Sequence, residues 1–162
     1  MTSSSTSPSA DLRDALLTAA TQVVERNCFA FVEPIEPDAF HPLAAQCTAW
    51  LCAEVSFRGS FHGALRVVLP VPLAQRLCNS FIGAFDDGEP ADAQVFDFTG
   101  ELANMMVGAW LSHADSHIVF DLSPPAVTRM PEGWQPGTGL GPAPALLAVD
   151  DAPVAVWTTT QI

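Results

Sequence analysis

The sequence predicts an α+β domain in which two long helices pack on one face of a mainly antiparallel β-sheet. Three observations carry that expectation. Apolar residues recur at helical spacing over residues 11–27 and again over 91–112. Residues 48–70 and 145–160 instead tend to alternate, each interrupted by a short polar turn. Sliding the chain by 76 residues lays Thr21, Glu25 and Cys28 on Asp97, Glu101 and Asn104, so that each long helix precedes a set of strands. The order helix, strands, helix, helix, strands thus hints at an internal repeat.

The first helix, 11–27, takes its cap from Ser9 or Asp11 and carries Leu12, Ala15, Leu16, Ala19, Val23 and Val24 at helical spacing. Pro34 and Pro37 are expected to end regular structure. A hairpin over 48–70 carries Trp50, Cys52 and Val55, then Phe57, Phe61, Leu65, Val67 and Leu69, around Arg58-Gly59-Ser60; its alternation is imperfect. A short helix after Pro72 runs through Leu73, Leu77 and Phe81 to a stop at Gly83. The acidic linker 86–90 suits the positive end of the second long helix, 91–112. Residues 118–122 read as a strand ending at Ser123-Pro124-Pro125, and another begins at 126–130. A Gly/Pro-rich surface loop, 131–144, leads to a closing hairpin of 145–149 and 154–160 around Asp150-Asp151.

At 162 residues the chain suits one domain, 11–162, that buries about two thirds of its unfolded surface. Residues 1–10 are rich in Ser and Thr and lack a basic region followed by an apolar stretch, so a disordered tail is expected rather than a secretory signal. Hydrophobic residues make up 49%, yet the longest apolar run, 64–74, contains Arg66 and two prolines and falls short of a membrane span. A soluble, cytoplasmic protein with no membrane partner is expected. The net charge is −12, from 18 acidic residues against six arginines and no lysine. Nucleic-acid binding needs clustered positive charge and is not expected. The absence of lysine also removes a P-loop lysine, a Schiff base and a Ser-Lys dyad. Cys28, Cys47, Cys52 and Cys78 form no CxxC pair and read as free, mostly buried thiols.

One stripe stands out. At about 100° per residue, Asp97, Glu101, Asn104 and Gly108 fall within roughly a 60° arc, while Val95, Phe96, Leu102, Met106 and Trp110 point elsewhere. A carboxylate and a carboxamide one turn apart, beside a glycine that leaves room, can be presented together to a partner.

The run Asp97-x3-Glu101-x2-Asn104, followed by Met105 and Gly108, resembles the signature helix of the CheX/CheC chemotaxis phosphatase family. The order of elements agrees, from the amphipathic first helix through the Phe57-Arg58-Gly59 hairpin to Leu122-Ser123-Pro124. The resemblance implies a CheC-like pseudo-repeat and a phosphatase acting on phosphorylated, CheY-like response-regulator receiver domains. Carried over by position, Glu101 would pair with the receiver's active-site lysine and dock the complex. Asn104 would orient the attacking water, and Asp97 would support the helix surface. The chain would need no cofactor of its own, since Mg²⁺ would sit in the receiver. Cys28 stands where a second Asn would be, which implies one site, as in CheX; homodimers are a further implication of the resemblance.

Two other classes of function compete. A noncatalytic module could bind a receiver or flagellar-switch partner through the same fold. A zinc enzyme would use His113-x3-His117 with Asp115, but no further His or Cys is placed to complete four ligands. His41 and His62 are isolated, and three of the four tryptophans read as core. Trp134, in the Gly/Pro loop, is the one expected to meet a partner.

Overall fold

Leu16, Ala19, Ala20, Val23 and Val24 recur every three to four residues and give the first helix one buried side. This computed structural model describes residues 8–84, 88–114, 117, 119–137, 140–141 and 143–161. Helix α1 (Pro8–Cys28) starts inside the segment expected to be a tail, of which residues 1–7 lie outside the described residues. It ends where Phe29 takes a left-handed φ of 54°.

Pro34 and Pro37 do not end regular structure. Pro34 closes the short edge strand β1 (Val32–Pro34), and Pro37 opens helix α2 (Pro37–Ala45). A proline is at home in the first turn of a helix, where its missing N–H would have no partner, and its fixed φ is already helical. The backbone N–H groups of Ala39 and Phe40 both donate to the Glu36 carbonyl at 3.0 Å, which closes that turn.

The expected hairpin forms as β2 (Trp50–Arg58) and β3 (His62–Pro70), in register from Trp50↔Pro70 to Arg58↔His62. Helix α3 (Val71–Ile82) stops at Gly83, whose φ of 75° gives a left-handed cap. The second long helix, α4, spans Asp92–Ala114; Asp86 and Asp87 of the linker before it lie outside the described residues. The strand expected at 118–122 is reduced to β4 (Asp121–Leu122), with Ile118 outside the described residues, and β5 (Ala126–Arg129) follows. β6 (Ala145–Val149) and β7 (Ala152–Gln161) close the chain as a hairpin. Its two turn residues, Asp150 and Asp151, both have positive φ, a conformation aspartate tolerates and a two-residue hairpin requires.

The seven strands form one antiparallel sheet in the order β1-β6-β7-β3-β2-β4, with β5 also on β2. Exchanging β1 with β5, β2 with β6 and β3 with β7 reads that order backwards. The internal repeat is therefore present as topology, with α1 and α4 as equivalent helices. Each half places its edge strand on the other half's hairpin.

Both faces of the sheet are covered. Helices α1, α3 and α4 share the main core with Leu51, Ala53, Val55, Leu65, Val67 and Leu147. On the second face α2 packs Phe40 and Ala44 against Trp50, Val68, Leu146, Ala155 and Trp157. This double burial explains the imperfect alternation of the hairpin: Val67, Val68 and Leu69 are consecutive and all buried. Among the described residues no helix is long and apolar enough to cross a membrane.

Candidate functional site

Val95, Leu102, Met106, Val107 and Trp110 bury one side of α4 and so fix which way its other side looks. Aromatic rings set the rotation of its C-terminal half: Trp110 meets Phe57 at 5.5 Å and Phe61 at 6.3 Å between centroids, and Phe120 lies 5.0 Å from Phe61. In the N-terminal half, a Cβ on Gly100 would lie 3.0 Å from Pro125. Glycine there lets the helix settle onto the 123–125 segment, which is pinned by the Ser56 N–H donating to Ser123 Oγ at 2.9 Å. On the opposite flank the Cys78 thiol of α3 donates to the Gln94 carbonyl at 3.7 Å, and the Phe81 ring lies 5.5 Å from that of Phe98. Thr99 and Ser112 turn their hydroxyls back onto the carbonyls of Val95 and Gly108, at 2.7 and 2.8 Å.

The helix held in this way carries Asp97, Glu101, Asn104 and Gly108 along its outer side. Asp97 and Glu101 are exposed; Asn104 and Gly108 are half-buried at the edge of the core. Among the described residues none of the three polar side chains makes a hydrogen bond or ion pair, and the Arg66–Glu54 ion pair is on the sheet's other face. Two carboxylates at i and i+4 repel by about 0.2–0.5 kcal/mol, and among the described residues no cation pairs with either. The stripe is thus complementary to a cation brought from outside. A Cβ on Gly108 would meet nothing within 4 Å, so the space it leaves opens outward.

The equivalent stripe on α1 is closed. Glu25 is exposed and Thr21 half-buried, but Cys28 is only 2% exposed and faces the core. All four cysteines are free thiols. Burial raises the pKa of each, that of Cys28 to about 12, with the neighbouring Cys78 adding to the shift, so none is an activated nucleophile. The histidine pair does not share a helix face, because α4 ends at Ala114, before His117, while Asp115 lies outside the described residues. Among the described residues no three His, Cys, Asp or Glu side chains converge as metal ligands.

Trp134 does not stand free for a partner: it is half-buried and meets Trp50 edge-on at 5.9 Å. The exposed apolar side chains beside the stripe are Phe81 and Ile82, at 39% and 50%. Phe81 reads from its spacing as a core residue. The overlooked signal is its neighbour: two adjacent bulky apolar residues are about 100° apart on a helix, and both cannot follow Leu73 and Leu77 inward.

The structure thus presents a carboxylate and a carboxamide together on the open face of one helix of an α+β domain. The family described as chemotaxis phosphatase CheX matches residues 51–133, just over half of the chain and all of the stripe. The chain belongs to that family.

Solved structures agree in fold. The chemotaxis protein CheX from Vibrio vulnificus is 15% identical, with a TM-score of 0.67 over 96% of this chain and 100% of that one. CheX from Desulfovibrio desulfuricans is 17% identical, with a TM-score of 0.66 over 93% and 99%. The CheX–CheY–BeF3–Mg²⁺ complex from Borrelia burgdorferi matches at 18% identity and a TM-score of 0.59, over 94% and 99%. No curated protein sequence matches the chain.

Proposed function

We propose that this chain accelerates the dephosphorylation of a CheY-like receiver domain through a single site, with Glu101 docking and Asn104 orienting water. The observation that carries the reading is the outward-facing stripe of exposed Asp97 and Glu101 and half-buried Asn104, whose side chains have no partner among the described residues. Membership of a family described as chemotaxis phosphatases supports it, as does the fold shared with the CheX of a CheX–CheY complex.

The chemistry asks little of the chain. A phosphoaspartate is a reactive acyl phosphate: water attacks phosphorus, the bond from phosphorus to the aspartate oxygen breaks, and aspartate and inorganic phosphate result. The catalyst mainly positions the water and fixes the approach. A carboxamide accepts a hydrogen bond from water through its oxygen and donates through its nitrogen, and it takes no proton. Glu101 approaches phosphoryl oxygens safely only with a cation between them, the role of a receiver lysine. Mg²⁺ is the receiver's own. Asp97 supports the docking surface, and Gly108 leaves clearance for the partner.

Phosphate release from a panel of phosphorylated receivers of the same organism tests the reading. Asn104→Ala is expected to lower kcat by about 100-fold, the effect of a misplaced reactant, with KM little changed. Glu101→Ala is expected to raise KM, and circular dichroism should show both variants folded. If both keep full activity, the mechanism is wrong. A chain that binds a receiver without shortening its phosphate lifetime is a noncatalytic module instead.

A further inference from the structure

The largest apolar side chains exposed beside the stripe are Phe81 and Ile82, on the last turn of α3. Phe81 rests on Phe98, which follows Asp97 directly and lies one turn before Glu101 and Leu102. The ridge therefore borders the acidic part of the stripe, while Pro125 borders its other flank at Gly100. The left-handed cap at Gly83 ends α3 immediately beyond the ridge and holds its last turn in place.

We propose that Phe81 and Ile82 form an apolar anchor for the same receiver, one that sets affinity while Asn104 sets rate; the inference rests on the function proposed above. Charge selects the occupant. The chain carries a net charge of −12, and a second copy brought face to face here would set Asp97 and Glu101 against their own counterparts. A partner with an apolar patch beside a basic group satisfies the ridge and the stripe together. Buried aromatic and aliphatic anchors next to a desolvated charge pair are where binding energy concentrates in protein interfaces.

The test titrates receiver domains of the same organism, loaded with beryllofluoride and Mg²⁺, into the full chain. It then repeats phosphate release with the receiver that binds. Ile82→Ser and the Phe81→Ser, Ile82→Ser pair are expected to weaken binding and raise KM by about ten-fold or more, with kcat unchanged. The single Ile82 variant covers the case in which losing Phe81 disturbs Phe98. Phe29→Ser with Phe31→Ser, which removes a still more exposed aromatic pair just beyond α1, is expected to change neither quantity. Unchanged affinity in the ridge variants, with Asn104→Ala still inactive, overturns the anchor and leaves the function standing. Loss of self-association with receiver affinity unchanged assigns the ridge to a second copy and overturns it equally. A chain that binds none of the receivers overturns both readings.

Discussion

Asn104 and Cys28 stand on equivalent turns of the two long helices and meet opposite fates. Helix α4 continues well beyond Asn104 to Ala114, so the amide stays on a mid-helix face at the edge of the core. α1 stops at Cys28, the chain swings through the left-handed Phe29 toward β1, and the thiol turns into the core. The replacement of Asn by Cys was legible in the sequence, because aligning the two helices requires no structure. The depth of burial was not, since it follows from where α1 ends. That burial has a measurable consequence. The folded Cys28 thiol keeps its proton up to about pH 12, whereas in the unfolded chain it ionises near its ordinary value of 9.0. Its contribution to stability is therefore complete below about pH 9 and is lost as the pH rises toward 12. With no lysine and no tyrosine in the chain, thiols are the only side chains that ionise in this interval. Thermal melts are expected to hold steady from pH 7.5 to 8.5 and to fall above 9 (buffer values set at about one-unit steps). Cys28→Ala should lower the melting temperature at neutral pH and flatten that alkaline decline; an unchanged slope would place the titrating group elsewhere.

Among the elements, α2 was the one the sequence concealed. Pro34 and Pro37 together suggest a break, but Pro37 sits in the first turn, where a proline is tolerated, and the helix carries Pro42 in its interior as well. α4 was legible to within two residues at each end, because its apolar positions are many and its stripe is narrow. What spacing could not show is how closely elements approach. Two glycines measure this. A Cβ on Gly63 of β3 would lie 1.8 Å from the Thr159 carbonyl oxygen of β7, a clash that only backbone movement relieves, whereas one on Gly108 meets nothing. Gly63→Ala is expected to destabilise the protein by about 3 kcal/mol by separating the two central strands. Gly108→Ala should stabilise it by up to about 1 kcal/mol, the difference in helix propensity, yet weaken receiver dephosphorylation by filling the outward gap. Urea titration and phosphate release on the same two variants check both signs.

The whole molecule is two halves that cannot be separated cleanly. β1 of the first half pairs only with β6 of the second, and β5 of the second pairs only with β2 of the first. The two hairpins meet along β3 and β7. Periodicity can announce strands but not their partners, so this exchange was out of reach of the sequence even though the repeat itself was visible. A chain cut between Gly88 and Glu89 is expected to give two fragments that show no cooperative unfolding alone. Mixed in equal amounts, they should recover a native-like melt. Independent folding of either fragment would show that the exchanged strands contribute little. The exchange also bears on how the protein is made. At synthesis rates of about 5–20 residues per second, α4 leaves the ribosome seconds before β7 arrives to complete the sheet beneath it. Until then the stripe on α4 has no finished platform, so a nascent chain would carry Asp97, Glu101 and Asn104 on a helix that nothing yet holds in place.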